Sequence, residues 1–233
     1  VIRGWLELIH NMPDELTTTT VLGAAPPMPF IPEEWHNKKV AVVVACWAGN
    51  ASDGEDVVRP LRTLGTPIAD LLGPIRYLDL QQLADPAWGA GAANYFTSAV
   101  LDDLPAEAVK TFSESHRTAA DPPVQAELHI HHLGGAVARV PAGSTAFTHR
   151  MSPFIINCLA RRSDGADLSP NISWARAARD AMSRYGDGHM YVNFTGEAGN
   201  DNVRANYPEP VFARLQAVKD EYDPFNVFRF NLN

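Results

Sequence analysis

The sequence predicts an α+β fold in which helices pack on one face of a mainly antiparallel β-sheet. Segments rich in β-branched residues succeed one another through the middle of the chain, whereas segments with helical spacing of apolar residues lie before, between and after them. The segment 126–132 alternates polar and apolar side chains, which is typical of a strand with one packed face and one open face.

The composition is that of an ordinary globular protein, with 45% hydrophobic and 20% charged residues among 233. The formal net charge is -8 and the basic residues are scattered, which argues against nucleic-acid binding. The longest apolar run, 40–47, is far shorter than the roughly 20 residues that a membrane-spanning helix needs. Cys46 and Cys158 give neither metal-site spacing nor a disulfide framework, so a reducing, cytoplasmic location is expected.

The amino-terminal half is predicted to alternate between helices and strands. Apolar residues within 5–11 indicate a helix that gives way to a strand at 17–20. The nearly uninterrupted Val and Ala run at 38–47 predicts a central strand that is covered on both faces. Helical spacing at 57–64 and a strand near 75–80 would complete a β-α-β unit.

The middle of the chain is predicted to be mostly antiparallel sheet, followed by further helices towards the carboxyl terminus. Gly134 and Gly135 interrupt the strand pattern between two of its members. The predicted strands are 94–100, 126–132, 136–140, 145–149, 154–159 and 190–194. The predicted helices are 105–115, 172–185 and 212–222.

The most specific features are short motifs, most of them near the carboxyl terminus. The motif YVNF at 191–194 is followed by VRANY at 203–207 and YDPFNVFRFN at 222–231, and upstream lie HLGGAV at 132–137 and TAFTHR at 145–150. In this order they resemble the signatures of the berberine-bridge-enzyme-like FAD-linked oxidoreductases, which belong to the vanillyl-alcohol-oxidase superfamily.

The resemblance implies a two-domain flavoprotein whose amino-terminal domain binds most of the FAD and lies outside this chain. Residues 1–188 would then form the substrate-binding α+β domain, whose sheet lies over the flavin ring, and residues 189–233 a segment that returns to the flavin domain. The implied chemistry is hydride transfer from an alcohol or amine carbon to the flavin, while a protein base takes the proton. Because Val1 is not preceded by an initiator methionine or a leader pattern, we expect the chain to begin inside a longer protein.

Four side chains are candidates for the catalytic base or for substrate contact, namely Tyr191, Tyr95, Glu127 and His129. In many family members a tyrosine that can act as the base takes the position of Phe194, so here that role is absent or has moved. Glu127 and His129 lie on the polar side of a predicted strand, where burial or a neighbouring charge could tune an acid or a base. The same polar face could equally be solvated, and the two tyrosines could be buried core residues.

Asn193, Phe194, Asn226 and Phe228 are the candidates for flavin contact, because the carboxyl-terminal motifs of the family lie near the flavin. An asparagine amide can both donate to and accept from the polar edge of the ring. The alternative for Asn226 is structural, with the residue completing the turn after Asp223.

A metal site is not expected. His129 and His131 would share one face of a strand and His132 would lie on the other, which leaves no evident third ligand.

Three functional classes remain open. The chain could be part of an FAD-dependent oxidoreductase with a small-molecule substrate, a flavin-free module for ligand capture or assembly, or a non-flavin enzyme that uses Glu127 and the histidines. A sheet face that should cover a flavin would be exposed in an isolated domain, so we also expect a homodimer or a partner chain that carries the flavin domain.

Overall fold

The computed structural model describes residues 1–85, 88–196 and 200–230, and for residues 200–202 the backbone only. Within them, five strands form one sheet: β1 (Leu16–Ala24), β2 (Lys39–Trp47), β3 (Ala93–Leu101), β4 (Gln125–His132) and β5 (Phe154–Arg162). Their spatial order is β2-β1-β4-β5-β3, and every neighbouring pair is antiparallel. The predicted antiparallel sheet is therefore confirmed.

The helices of the described residues are α1 (Ile2–Ile9), α2 (Ala51–Val58), α3 (Tyr77–Gln81), α4 (Ala106–Arg117), α5 (Gly135–Arg139), α6 (Ser169–Ser183), α7 (Asn200–Ala205) and α8 (Glu209–Tyr222). Helix α6 packs against β3 and β5, and α4 packs against β1 and β4. Helix α1 is joined to β1 by a hydrogen bond of 3.0 Å from Trp5 Nε1 to Thr18 Oγ1. Within the described part of the chain, no helix is both long and apolar enough to cross a bilayer.

The hydrophobic core lies between these three helices and one face of the sheet. Alternate residues of β4 and β5 point into it, and Leu128, Ile130 and Ile156 are each at most 1% exposed. On α6, Ala178 and Met182 are buried one helical turn apart, so that a single face of this helix meets the sheet. The opposite face of the sheet is therefore left without these helices, as the α+β prediction requires.

Most of the predicted elements are confirmed, but the predicted central strand at 38–47 is wrong in its position. It forms β2, which is an edge strand, and Val42 and Val44 are 44% and 43% exposed. A run of Val and Ala indicates extended backbone, but the number of neighbouring strands depends on long-range pairing. The predicted β-α-β unit is also wrong, because the segment near 75–80 forms α3 instead of a strand.

Three further short strands were predicted where the structure has none among its described residues. The segment 136–140 lies in α5, 145–149 is irregular, and 190–194 contains the 3-10 turn Val192–Phe194. Short apolar runs do not distinguish a strand from a turn of helix by periodicity. Gly135 enters α5 with a φ of 54°, a left-handed conformation that side chains rarely adopt.

Candidate active site

The sheet face opposite the helices, called the open face below, brings the polar side chains of β4 together with those of its neighbours. Strand pairing places His129 between Val21 of β1 and Asn157 of β5, and Asn157 in turn pairs with Ser98 of β3. One step along β4, His131 lies between Thr19 and Ile155. Because strand residues alternate between faces, all these side chains lie on the side away from the helices.

The segment 189–196 follows the outer edge of β3 and places aromatic side chains over the open face. Val100 N donates to His189 O at 2.9 Å, and Gly196 N donates to Phe96 O at 2.6 Å. Between them, Ser98 Oγ accepts from Tyr191 N at 3.0 Å and donates to Tyr191 O at 3.2 Å. The backbone of Tyr191 is therefore held by one buried serine.

Phe194 extends from this segment to β4. Together with Tyr191 and Phe147 it forms a row of aromatic side chains, called the aromatic wall below. Its ring centroid lies 5.4 Å from that of His131 and 5.1 Å from that of Tyr191, which it meets edge to face. Phe147 contacts the other side of Tyr191, with the centroids 5.7 Å apart. Edge-to-face pairs at such distances are the favoured geometry for aromatic side chains, so the wall is a defined surface.

Glu127 and His129 form an ion-pair geometry on the open face, with side chains that are 19% and 17% exposed. His129 Nε2 lies 2.8 Å from Glu127 Oε2, and Gln125 Nε2 donates to Glu127 Oε1 at 2.8 Å. Burial by itself would raise the pKa of Glu127, but the hydrogen bonds from His129 and Gln125 and the nearby positive charge outweigh it and lower the pKa. Glu127 is therefore a carboxylate at neutral pH.

His131 is kept neutral on the same face. Burial, with a smaller contribution from His129, lowers the pKa of His131 to about 4. Its Nδ1 lies 3.3 Å from Thr19 Oγ1, whereas its Nε2 is buried without a hydrogen-bond partner among the described residues. Asn157 Oδ1 is in the same condition. Buried polar atoms are normally paired, so these two mark a place where the open face could accept a ligand group or water.

Tyr191 also borders a small pocket of about 150 Å³ beside the open face. Its hydroxyl accepts a hydrogen bond of 2.7 Å from Asn193 Nδ2. Phe147 and His149 line the pocket together with Tyr191 and Asn193. The candidates Tyr191, Asn193, Phe194, Glu127 and His129 thus lie in one continuous region.

Tyr95 is separated from that region. It points into the helix-covered core, is 5% exposed, and its hydroxyl accepts a hydrogen bond of 3.0 Å from Arg176 Nε on α6. Tyr95 is therefore a buried core residue, which was the alternative that the sequence left open. Tyr95 and Ser98 are three positions apart on β3, so they lie on opposite faces of the sheet.

Asn226 and Phe228 lie in the turn after α8. Asn226 adopts a φ of 50°, and its N donates to Asp223 O at 2.9 Å. Asp223 accepts from Lys219 Nζ and also from Phe228 N, the latter at 3.0 Å. Both candidates therefore have local turn contacts, and the Phe228 side chain is 80% exposed.

Sequence reasoning missed Thr19, Ser98 and Asn157 as parts of the site. Each is a short polar residue within an otherwise ordinary strand segment, and only the strand order brings them beside His129 and His131. The alternation of each strand could have assigned each residue to a face, but not to a neighbour.

No group of three or more His, Cys, Asp or Glu side chains in the described ranges could hold a metal ion. His129 and His131 share the open face, with ring centroids 5.8 Å apart. His132 lies on the other face, with its ring 6.4 Å from that of Trp5.

The segment that carries the aromatic wall is also the part of the chain that matches a protein family. Residues 190–233 match the family model "Berberine and berberine like". The chain is similar to the FAD-linked oxidoreductases. It is 29% identical over 182 residues to the FAD-linked oxidoreductase YvdP of Bacillus subtilis, an alignment that covers 75% of this chain and 39% of YvdP.

A second relative is the FAD-linked oxidoreductase DDB_G0289697 of Dictyostelium discoideum, which is 24% identical over 194 residues, covering 82% of this chain and 42% of the relative. The chain therefore spans about two fifths of the length of these FAD-linked relatives.

Solved structures show the same fold. The chain matches 6-hydroxy-D-nicotine oxidase of Arthrobacter nicotinovorans with a TM-score of 0.74 and 23% identity, over 99% of this chain and 50% of the oxidase. It matches xylooligosaccharide oxidase of Myceliophthora thermophila with a TM-score of 0.72 and 19% identity, over 99% of this chain and 51% of that protein. The sheet and helices described above are therefore an architecture that this chain shares with these two solved structures.

Proposed function

We propose that this chain is the substrate-binding half of an FAD-linked oxidoreductase that oxidises an alcohol or amine carbon by hydride transfer. The open face would form one wall of the active site. The observation that carries the proposal is the position of the family-matched segment, which lays Tyr191 and Phe194 over a sheet face bearing Glu127, His129 and His131. The FAD-linked relatives support the cofactor.

The open face fits a flavin chemically. A planar aromatic ring would find an aromatic wall at Phe194 and, beneath the open face, two buried polar atoms, His131 Nε2 and Asn157 Oδ1, that lack partners among the described residues. When bound, the flavin supplies the hydride acceptor. Asn193 and Phe194 would contact it from this chain, whereas Asn226 and Phe228 would do so only from a tail packed on a flavin domain.

The chain's own contribution would be to orient the substrate and to take a proton. Tyr191 presents a hydroxyl whose oxygen is already fixed by Asn193, so that its hydrogen can be donated to a substrate. Glu127 and His129 supply a carboxylate and an imidazole in contact with each other. Phe194 lacks an ionisable group and would act as a packing surface.

The exposed tail supports a further partner. Phe225, Phe228 and Phe230 are 89%, 80% and 81% exposed. An apolar cluster of this kind usually marks an interface. We propose that residues 189–233 pack on a flavin domain, on a separate chain or in a longer protein, or else on a second copy of this chain. Light scattering tests this proposal, because a monodisperse monomer of 25.4 kDa at high concentration would exclude the homodimer.

A flavin-free module for ligand capture or assembly is the second candidate. It is favoured by the two polar atoms beneath the open face, His131 Nε2 and Asn157 Oδ1, which are buried without partners among the described residues. The open face could then bind a small molecule without any redox step.

A visible absorption spectrum tests whether this chain can hold a flavin by itself. The purified chain is measured alone and after incubation with FAD followed by desalting, and Phe194→Ala is treated in the same way. Flavin bands that survive desalting in the wild type and weaken in Phe194→Ala would support the oxidoreductase. A spectrum without flavin bands under both conditions would mean that this chain alone is not an oxidoreductase, and the flavin domain and ligand binding would be tested next.

A further inference from the structure

The hydrogen bond between Glu127 and His129 determines which nitrogen of His129 carries its proton. A carboxylate only accepts hydrogen bonds, so a ring nitrogen 2.8 Å from Glu127 Oε2 must be protonated. In neutral His129 that nitrogen is Nε2, and the lone pair is then on Nδ1. Gln125 holds the other carboxylate oxygen at 2.8 Å, which fixes the carboxylate in this orientation.

Nδ1 of His129 is available for a substrate. The described residues offer it no hydrogen-bond partner, and it is not among the fully buried polar atoms without partners, so it keeps some exposure on a side chain that is 17% exposed. The neighbouring His131 is a poorer acceptor, because its Nδ1 faces Thr19 Oγ1 and its pKa is lowered to about 4 by burial. His129 therefore carries the accessible imidazole lone pair of this region.

We propose that Nδ1 of His129 accepts the hydroxyl proton of an alcohol substrate, and that Glu127 is the positioning residue that presents this nitrogen. The inference rests on the proposed function, which it narrows to a proton acceptor and a substrate class. In the reaction the substrate O–H bond breaks and its proton moves to Nδ1. A bound flavin would supply the acceptor for the hydride that leaves with the C–H electron pair, and the carbon would form a C=O bond.

Glu127 also selects between alcohols and amines. An alkylamine is a cation at neutral pH, since its ordinary pKa is about 10, as for a lysine side chain. A carboxylate beside it stabilises that cation and so raises the pKa of the amine. Hydride loss requires the neutral amine, so the carboxylate opposes it. A neutral alcohol has no such penalty and can donate its hydroxyl hydrogen to Nδ1. The partly buried Glu127 carboxylate therefore favours oxidation of a hydroxyl-bearing carbon.

The tautomer of His129 can be measured on the chain itself by nitrogen NMR of ¹⁵N-histidine-labelled protein at about pH 8, above the ordinary histidine pKa of about 6.5. Two other histidines are internal references. His36 Nε2 lies 2.9 Å from Ile31 O, which requires the Nε2–H form, and His189 Nδ1 lies 2.7 Å from Asp187 Oδ2, which requires the Nδ1–H form. The signal of His129 is assigned by its loss in His129→Gln.

The expected result is that His129 resembles His36, with a protonated Nε2 and an unprotonated Nδ1. Glu127→Leu should shift His129 towards a mixture of tautomers and leave His36 and His189 unchanged. A His129 that resembles His189, or that keeps its tautomer in Glu127→Leu, would overturn the proposal. Because this readout needs no flavin, it does not depend on turnover.

The second arm measures flavin-dependent oxidation of matched pairs such as benzyl alcohol and benzylamine by the FAD-loaded protein. The alcohol should be the better substrate, and His129→Gln should reduce kcat by about 10²- to 10⁴-fold, the usual contribution of a general base. A preference for the amine, or full activity in His129→Gln, would overturn this inference but leave the proposed function intact. Flavin binding without oxidation across the whole panel would overturn both.

Discussion

The two faces of the sheet use the same five strands for different purposes. On the helix-covered face, Leu128 and Ile130 of β4 are at most 1% exposed and pack into the core. On the open face, the intervening Glu127 and His129 hydrogen-bond to each other and remain 19% and 17% exposed. Along one eight-residue strand, side chains that stabilise the core therefore alternate with side chains of the candidate site.

The difference does not lie in unpaired polar atoms alone. Thr20 Oγ1 and Thr97 Oγ1, on the helix-covered face, are also buried without partners among the described residues. What distinguishes the open face is a carboxylate in contact with an imidazole and a second imidazole beside it. Burying ionisable groups costs desolvation free energy, and such groups cluster at functional sites. The open face is therefore the better candidate for the site.

The largest expected effect comes from removing a core side chain on β4. Ile130→Ala should lower the free energy of unfolding by about 2 to 5 kcal/mol, because it leaves a cavity beneath the helices. His129→Ala, one residue away on the open face, should cost less than half as much. Urea unfolding measures the free energy of unfolding of both variants. Equal decreases would contradict the view that only the helix-covered face stabilises the fold.

The next effect is a dependence of stability on pH that belongs to the open face. The pKa of His131 is lowered to about 4 in the folded state, so as the pH falls below about 6.5 the unfolded chain takes up a proton first. Folding then loses up to about 2 kcal/mol between about pH 7 and about pH 5. The loss continues until the pH approaches the folded pKa.

His131→Gln should remove that part of the pH dependence. His116, His132 and His149 also have pKa values lowered by burial, so the variant should flatten the unfolding free energy against pH without making it constant. If the unfolding free energy of His131→Gln had the same pH dependence as that of the wild type, the pKa of His131 would not be lowered in the folded chain.

A smaller effect is expected where the segment 189–196 is attached to β3. Ser98→Ala removes both hydrogen bonds to the Tyr191 backbone and leaves Tyr191 N unpaired, which should cost about 1 to 3 kcal/mol. Hydrogen exchange should accelerate at Tyr191 and leave Ile130 protected. If both residues exchanged faster, the segment would be part of the core and not an addition to the open face.

The smallest effect is expected in the tail. Phe228→Ala should change the free energy of unfolding of this chain by less than about 0.5 kcal/mol, because the side chain is 80% exposed. The same substitution should weaken association with a flavin domain or a second copy, measured by analytical ultracentrifugation. A substantial loss of stability in the monomer would mean that Phe228 packs within the chain.

Much of the local structure was predictable. The alternation in 126–132 predicted β4 with one polar face, and helical spacing predicted α4, α6 and α8. Glu127 and His129 were identified as a possible acid and base because residues two apart share a face of a strand. That spacing allows a hydrogen bond between them, and the structure forms it at 2.8 Å.

Other parts of the site could not be predicted locally. Tyr95 and Tyr191 were equivalent candidates in the sequence, yet the structure places Tyr95 among the helices and Tyr191 over the open face. The valine-rich segment at 38–47 was predicted as a central strand and is the edge strand β2. In each case the deciding contact is with a residue distant in sequence.

The sequence by itself determined the period of the longer elements, such as β4 and α6, and the family to which the carboxyl-terminal motifs point, because both are properties of local runs of residues. The tertiary structure alone decided the strand order, the face that the helices cover and the neighbours of each polar side chain. Those depend on which distant segments bury the most apolar surface together. The contact between Phe194 and His131, 63 positions apart in the chain, exists only because that packing sets the position of both.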